Sequence, residues 1–248
     1  MAKIVAVASQ KGGVGKTSTA SALAAGLVQR GFRALAIDLD PQGNLSDSIG
    51  AERSPGIYEA MRGQISAVDA IQHFSAFDII AADIALAQAE REFEGSQALK
   101  GAIEAVQGLY EYIVLDTPPN LGVMTVNALA AADEIVIPAT PGIFEVAGIG
   151  TLCEAVQEAK RLINPGLTIA GVLFTRFNAR TRLSSEVLEA VEGLSGQLGA
   201  KVYATKIRAS VDVGASQASQ ESIFGYKKKS KVARDYSDWV DEYLKGGK

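Results

Sequence analysis

The segment SQKGGVGKTSTA, residues 9–20, combines three glycines with a Lys-Thr pair, a combination that binds phosphate groups in proteins. Glycines permit a tight backbone in which several N–H groups turn toward phosphate oxygens, and a helix beginning near Gly15 adds its positive N-terminal end. Lys16 is then placed for the β- and γ-phosphates, and the Thr17 hydroxyl for Mg²⁺. The predicted nucleotide-binding residues that follow from this motif are Gly12, Gly13, Val14, Gly15, Lys16, Thr17 and Ser18.

The loop departs from the usual phosphate-binding pattern, G-x-x-x-x-G-K-[ST], at its first position. The pattern asks for a glycine where Gln10 stands, and a second lysine, Lys11, follows directly. The pattern assigns this second cation no role, and an exposed lysine on a loop is the simple alternative to a functional one.

Two further polar clusters follow short apolar runs. Asp38 and Asp40 lie in IDLDPQGN (37–44), and Asp116 lies in VLDTPPN (114–120), where it ends a strand in the manner of a Walker-B aspartate. Asp40, beyond its strand, is the candidate for orienting an attacking water, because phosphoryl transfer needs positioning more than proton removal. Asp38 has the alternative role of holding its loop through hydrogen bonds. The predicted metal-site residues are Thr17, Asp40 and Asp116.

The elements that must position these residues follow from the hydrophobic pattern. Continuous apolar runs, typical of strands covered on both faces, lie at 3–8, 34–38, 77–82, 112–116, 134–140 and 168–175. Helical patterns lie at 16–30, 96–107, 121–132, 145–163 and 183–195, and the segment 209–245 also reads as helical. This alternation predicts the α/β class: a single doubly wound domain over 1–248, with a mostly parallel sheet flanked by helices. Ligands bind such sheets at the carboxyl ends of the strands.

Composition sets the broad class of the protein. The 248 residues are 48% hydrophobic and 21% charged, which suits one large soluble domain. The single cysteine excludes a disulfide framework and a metal site built from several thiolates, and it fits a reducing compartment. No apolar run approaches the roughly 18 residues of a membrane helix. We therefore expect a cytoplasmic protein.

Four motifs carry a resemblance to a known family: KGGVGKTSTA, AIDLDPQGN, IVLDTPPNLGVMTVNALAAADEIVIP and GVLFTRFNARTRLSSEV. Together they resemble the ParA/Soj partition ATPases, P-loop NTPases of the deviant Walker-A class that also contains MinD. The resemblance runs from residue 3 to about residue 240. It implies ATP and Mg²⁺ as cofactors.

The resemblance also implies residue roles. Lys11 is similar to the signature lysine, which reaches the phosphates of a partner subunit when two ATP-bound monomers face each other. The catalytic residues would be Lys11, Lys16 and Asp40, with Asp40 positioning the hydrolytic water and Asp116 reaching Mg²⁺ through water. Asn178 matches a position that contacts adenine in MinD proteins, although Asn after a strand is also a good turn former.

Several functions remain to be compared. The first is a weak ATP hydrolase, stimulated by DNA and a partner, that dimerises with ATP, binds DNA non-specifically and partitions plasmid or chromosome DNA with a ParB-like adaptor. A related ATPase that positions non-DNA cargo would look much the same in this domain. A MinD-like membrane ATPase needs a basic amphipathic C-terminal helix, whereas RDYSDWVDEYLKGGK carries acidic residues that anionic lipid repels. An iron–sulfur ATPase needs more than one cysteine. Asp40 argues against a switch that does not hydrolyse its nucleotide.

The charge distribution suggests where DNA would bind. The formal net charge is −4, yet residues 201–248 contain ten Lys and Arg against six Asp and Glu. The chain begins two residues before its first predicted strand, so we expect no N-terminal DNA-reading domain and a nucleoid-associated protein without sequence specificity. The predicted DNA-binding residues are Arg180, Arg182, Arg208, Lys227, Lys228, Lys229, Lys231 and Arg234. The alternative is that KKKSK (227–231) is only a solvated helical face.

Three other residues favour structural roles. His73 lies far from any acid–base group in the sequence and is expected to be structural or at the surface. Cys153, on an apolar helical stretch, is expected to be a small core residue. Trp239 is expected to pack the last helix onto the domain.

Overall fold

The apolar runs form the strands of a central sheet in the computed structural model, which describes residues 1–93, 97–142 and 145–246. The strands are β1 (Lys3–Val7), β2 (Ala34–Asp38), β3 (Ile71–Gln72), β4 (Asp78–Ile80), β5 (Tyr112–Asp116), β6 (Glu134–Ala139) and β7 (Thr168–Phe174). Their order is β3-β4-β2-β5-β1-β6-β7, and the described pairs are parallel except for β3 with β4. The predicted mostly parallel, doubly wound sheet is confirmed. β3 was missed because two residues carry no periodic signal.

Helices cover the connections between these strands. They are α1 (Lys16–Gln29), α2 (Asn44–Asp47), α3 (Ile57–Met61), α4 (Ala89–Glu92), α5 (Ala98–Ile103), α6 (Val123–Ala131), α7 (Glu145–Leu162), α8 (Arg182–Leu198), α9 (Val211–Ala218), α10 (Ile223–Tyr226) and α11 (Lys231–Gly246). The predicted helix over 96–107 is shorter, because α5 passes into a 3₁₀ turn at Glu104–Val106, and residue 96 lies outside the described residues.

The C-terminal segment differs from the sequence prediction. Residues 209–245 read as one helical stretch, but the chain forms α9, α10 and α11 with breaks between them. After α9, Gln220 adopts a left-handed φ of 57°, which ends the helix. Residues 227–230 lie in the turn between α10 and α11, and Lys231 begins α11. The interpretation of KKKSK as a helical face was therefore wrong, because its first four residues are not helical.

Each parallel strand is buried on both faces, which explains the continuous apolar runs. Successive side chains of a strand point to opposite sides. Ile4 and Ala6 of β1 join a core with residues of α3 and α5 to α8, whereas Val5 and Val7 join a second core with residues of α1 and α11. The sheet is thus a middle layer between two sets of helices.

α11 closes the second core with an aromatic cluster. Trp239 is fully buried, and its ring centroid lies 6.0 Å from Tyr203 and 6.4 Å from Tyr236 in edge-to-face contacts. α11 also approaches α1 closely, because a Cβ atom at Gly26 would lie 2.8 Å from a methyl group of Val240. Trp239 packs the last described helix onto the sheet, as the sequence predicted.

The other two residues assigned structural roles agree with that assignment. His73 is exposed, and its Nδ1 lies 3.0 Å from Asp78. Cys153 is buried in α7, where burial raises the pKa of its thiol to about 11 and leaves it unreactive.

Replacing Trp239 with Ala is expected to lower the free energy of unfolding by about 3–5 kcal/mol, because removal of a large buried ring leaves a cavity in the second core. Urea denaturation followed by far-UV circular dichroism measures this change. The control is Leu162→Ala on α7, a side chain that is 63% exposed, for which we expect a change within about 0.5 kcal/mol. Equal, small losses in both variants would contradict the packing role of Trp239.

Candidate nucleotide site

The phosphate-binding loop occupies the connection between β1 and α1. Gly13 and Gly15 have φ angles of 75° and 82°, left-handed values that favour glycine because a Cβ atom would strain the backbone. α1 begins at Lys16, directly after Gly15, so the free N–H groups of its first turn belong to the loop. This backbone has the features of an anion site.

Lys16 lies inside the loop rather than on the surface. The residue is 7% exposed, and its Nζ donates a hydrogen bond of 2.9 Å to the carbonyl oxygen of Lys11. Burial lowers the pKa of Lys16, while the negative charges of Asp116 and Asp40 act in the opposite direction. An ammonium group has three donors, so Lys16 retains donors for phosphate oxygens.

Asp116 ends β5 directly beside Asp38 of β2, its partner in the strand register. Asp116 is fully buried, and within the described part of the chain neither carboxylate oxygen has a hydrogen-bond partner. Burial raises the pKa of Asp116 well above its usual range, and Asp38 raises it further, whereas the nearby Thr17 hydroxyl and Lys16 lower it. A buried carboxylate without donors fits a position beside a cation.

Asp38 is equally buried but fully hydrogen-bonded. Its carboxylate accepts bonds from the backbone N–H of Ser46 at 2.9 Å, the Ser46 hydroxyl at 2.8 Å and the N–H of Asp40 at 3.1 Å. Burial raises the pKa of Asp38 to about 6, against the effect of the Ser46 hydrogen bonds. Ser46 Oγ also accepts a bond from the N–H of Ala82. These contacts are the ones expected if Asp38 holds its loop through hydrogen bonds, which was the alternative role considered from the sequence.

Asp40 lies one step further along the same loop. Its carboxylate accepts a hydrogen bond of 3.0 Å from the N–H of Gln42, and its carbonyl oxygen accepts one of 2.8 Å from Gly43. Gly43 takes the left-handed φ of 66° that this turn requires. Asp40 is buried in the wall of a cavity and is the acid of the β2 loop best placed to meet a bound ligand.

A cavity of about 700 Å³ opens over the phosphate-binding loop, a size typical of small-molecule sites. The loop and α1 contribute Gly12, Gly13, Gly15, Lys16, Thr17 and Ser18 to its lining, and Asp40 lies on the same wall. Val14 is buried, and Lys11 is exposed. The structure thus brings the predicted loop residues and Asp40 together at the carboxyl edge of the sheet.

A second segment of the lining was missed by the sequence interpretation. Residues 207–217 contribute Ile207, Arg208, Ala209, Val213, Gly214 and Gln217. A bridge between Phe177 and Arg208 brings this segment to the end of β7, and Gln217 Nε2 donates to Ser18 Oγ at 3.3 Å. These are contacts between segments distant in sequence, so no local pattern could have revealed them.

Asn178, the predicted adenine contact, lies outside the described lining of the cavity. Its Oδ1 accepts a hydrogen bond of 3.1 Å from the N–H of Arg180, and its carbonyl accepts one from Thr181. These bonds belong to a turn that precedes α8. Contact with a base stays a prediction for Asn178.

The side chains present fit a magnesium ion. In the described ranges, no group of three or more His, Cys, Asp or Glu side chains surrounds one metal position. Mg²⁺ in nucleotide enzymes usually keeps several waters and takes one or two carboxylates together with phosphate oxygens. The Thr17 hydroxyl and the carboxylate of Asp40 line the cavity and match that requirement. The carboxylate of Asp116 has no hydrogen bond but is buried outside the described lining, so its role at the ion stays a prediction.

The predicted DNA-binding residues fall into two groups. Three are paired with acids: Arg208 bonds Asp235 through Nε at 2.6 Å and Nη2 at 2.7 Å, Lys227 lies 3.1 Å from Asp212, and Arg182 lies 2.6 Å from Glu186. The others are exposed, on the turn before α8 and on the α10–α11 turn with the start of α11: Arg180, Lys228, Lys229, Lys231 and Arg234. Arg208 also lines the cavity, which separates it from the turn residues.

Comparisons with known proteins agree with this geometry. A family profile described as an AAA domain matches residues 2–169. The chain is 36% identical to the sporulation initiation inhibitor protein Soj of Bacillus subtilis over the full length of both chains. It is 35% identical to the chromosome partitioning protein ParA of Caulobacter vibrioides, with 98% of this chain and 94% of that protein covered.

A solved structure is also similar over the whole chain. It is described as cobyrinic acid a,c-diamide synthase from Mycobacterium smegmatis with bound ATP analog and magnesium, and it is 30% identical. The TM-score is 0.87, and the match covers 100% of this chain and 96% of that one. The sequence relatives, the phosphate-binding loop and the aspartates at the strand ends agree, and the chain belongs to the ParA/Soj family of partition ATPases.

Proposed function

We propose that this protein is an ATP-dependent dimerising ATPase that binds DNA non-specifically and partitions plasmid or chromosome DNA with a ParB-like adaptor. The observation that carries the proposal is a single cavity lined by the glycine loop, Lys16, Thr17 and Asp40, with Lys11 exposed beside it. Membership of a family of partition ATPases supports ATP hydrolysis by this site.

The loop, Lys16, Thr17 and the aspartates have distinct roles in the proposed reaction. The loop amides and the N-terminus of α1 hold the phosphates, and Lys16 compensates their negative charge. Thr17, Asp40 and Asp116 are the residues that would hold Mg²⁺, which neutralises charge on the β- and γ-phosphates. Asp40 orients a water toward the γ-phosphate, because its carboxylate is fixed by its loop and lies in the cavity wall.

Lys11 is proposed to act on the nucleotide of a second subunit. Its backbone carbonyl is bonded to Lys16 Nζ, so the start of its side chain is anchored to the loop while the residue is exposed. A cation at this edge can reach phosphates presented by an opposing copy. Dimerisation would then depend on ATP, because two such faces carry their positive charge toward each other without it.

The exposed basic residues of the turn between α10 and α11 are the proposed DNA surface. Lys228 and Lys229 are exposed on this turn, and Lys231 follows them at the start of α11. Contacts from lysines to phosphates carry no sequence information, which fits non-specific binding. We assign Arg208 to the cavity wall rather than to this surface, because Asp235 holds its guanidinium with two hydrogen bonds. A dimer doubles the number of contacts, so affinity should rise steeply with ATP.

The packing of α11 supports the proposal of DNA rather than a membrane as the partner surface. In the described ranges, no helix combines the length and the apolar composition needed to pass through a bilayer. The apolar side of α11 is occupied, because Trp239, Val240 and Tyr243 are buried in the second core. A MinD-like helix needs that side free for lipid. Positioning of a non-DNA cargo is a weaker alternative, and identification of the adaptor protein would distinguish the two kinds of cargo.

Replacing Lys16 with Ala is expected to abolish nucleotide binding, since this ammonium compensates the phosphate charge. Replacing Lys11 with Ala should leave binding to the monomer nearly intact but prevent the ATP-dependent dimer. Fluorescent-nucleotide titration measures binding, and light scattering with a non-hydrolysable ATP analogue measures dimerisation. Lys100→Ala, at an exposed lysine of α5, is the control and should dimerise normally. Normal dimerisation of the Lys11 variant would refute the cross-subunit role.

Replacing Asp40 with Ala is expected to preserve ATP binding and dimerisation but to stop turnover, because the attacking water loses its orienting carboxylate. Single-turnover hydrolysis measures the chemical step directly. Wild-type hydrolysis should be slow and should rise with DNA and an adaptor. Asp69→Ala, at an exposed acid, provides the control and should hydrolyse ATP at the wild-type rate. Undiminished hydrolysis in the Asp40 variant would show that another group orients the water.

Replacing Lys228 and Lys229 together with Glu is expected to weaken binding to random duplex DNA at least about tenfold in the presence of ATP, because phosphate contacts become repulsive. The slope of log K against log salt should become shallower by about 0.9 for each lost contact. Fluorescence anisotropy over a range of salt concentrations measures both. Lys160→Glu with Arg161→Glu, an equal change of charge on exposed residues of α7, is the control. Equal effects of the two pairs would mean that net charge, not this turn, determines DNA binding.

A further inference from the structure

Two residues directly after β7 contact the backbone of the phosphate-binding loop. Thr175 Oγ1 donates a hydrogen bond of 2.7 Å to the carbonyl oxygen of Val14. Arg176 Nη1 donates a longer bond of 3.3 Å to the carbonyl oxygen of Gly13. Adjacent residues of one strand end therefore hold adjacent carbonyl groups of the loop.

The direction of a carbonyl group fixes the direction of the next amide. In a planar trans peptide, the C=O of one residue and the N–H of the following residue point to opposite sides. Fixing the carbonyls of Gly13 and Val14 therefore fixes the amides of Val14 and Gly15. Within the described residues neither amide donates a hydrogen bond, so both N–H groups are available to an anion.

The loop would not hold this orientation through its own sequence. Gly13 and Gly15 are left-handed glycines, and glycine allows neighbouring peptide groups to rotate at little cost. Thr175 is 2% exposed and lies against the loop, since a Cβ atom at Gly15 would be 3.7 Å from its Oγ1. Arg176 has a φ of 50°, a conformation rare for residues with a side chain and kept only where the surroundings impose it.

We propose that Thr175 and Arg176 are positioning residues of the nucleotide site, which preset the amides of Val14 and Gly15 for the phosphates of ATP and ADP. The proposal rests on one part of the proposed function, namely that nucleotide phosphates bind at this loop. Preset donors do not have to be reoriented when the ligand binds, which is the source of the gain in affinity. The buried bond of Thr175 contributes most, and the longer, exposed bond of Arg176 less.

The test replaces Thr175 with Val, which keeps the shape of the side chain and removes the hydroxyl. Titration with a fluorescent ADP and with ATPγS should show affinities about tenfold weaker for both. Without the Thr175 hydroxyl, the amide of Gly15 is no longer held toward the phosphate, and both nucleotides lose the same charge-assisted hydrogen bond from this amide. Thr175→Ser, which restores the hydroxyl, should return both affinities to within about twofold of wild type. Wild-type affinity in Thr175→Val, or failure of Ser to restore it, would overturn the proposal.

Thr125→Val is the matched control for the loss of a buried hydroxyl. Thr125 is also buried and donates a hydrogen bond of 2.7 Å to a backbone carbonyl, that of Asn120. Both variants should show a similar decrease in melting temperature, but only Thr175→Val should lose nucleotide affinity. An equal loss of affinity in the two variants would attribute the effect to general destabilisation and overturn the proposal.

Arg176→Ala keeps the proposal testable if Thr175→Val does not fold, because the arginine is exposed. It should weaken ADP and ATPγS equally, by about threefold, as expected for a weaker bond. A larger loss for ATPγS than for ADP would mean direct contact with the γ-phosphate and would contradict the positioning role. A wild-type chain that binds neither nucleotide would contradict the proposed function, whereas normal binding by the variants contradicts this inference alone.

Discussion

Asp38 and Asp116 end adjacent parallel strands, and the register of the sheet makes them direct neighbours in a position that water does not reach. Two carboxylates in such a position repel each other and have lost their hydration, so each needs local compensation. Asp38 obtains it from the hydrogen bonds of Ser46 and Asp40, whereas Asp116 makes no hydrogen bond within the described residues and only the nearby Thr17 hydroxyl and Lys16 favour its charged form. The architecture of the site follows from this difference.

The hydrogen bonds that compensate the buried charge of Asp38 also shape the loop that carries Asp40. Because Asp38 is bonded to the N–H of Asp40 and to Ser46, the loop is closed at both ends, and Ser46 ties it to Ala82 beyond β4. Most of the compensation of Asp116 is left to nearby cations, since in the described part of the chain the Thr17 hydroxyl is the one neutral group that also lowers its pKa. The charges of Asp116 and Asp40 both favour the charged form of Lys16, and Lys16 in turn lowers the pKa of Asp116. A bound Mg²⁺ would add two positive charges beside these carboxylates and the phosphates, so the metal rather than the nucleotide would complete the compensation.

Much of this arrangement could be predicted from the sequence, because its signals are local. Continuous apolar runs located the long strands, and Lys16, Asp40 and Asp116 were predicted as site residues because each ends or follows a strand that must end at the same edge of the sheet. The cavity wall at residues 207–217 could not be predicted, because it depends on a contact with the end of β7. The turn at KKKSK was read as helix, since lysine is compatible with helix and the break depends on how α10 and α11 pack.

The packing of α11 also constrains how the chain can be made. α1 is complete at Gln29, but its apolar partners Trp239, Val240 and Tyr243 belong to α11 and are synthesised much later. During translation, the apolar surface of α1 and of the sheet that α11 covers therefore stays exposed until α11 has been synthesised. The phosphate-binding loop is encoded first, but its contacts with Thr175 and Arg176 and the packing of α1 against α11 form only after these later segments have been made.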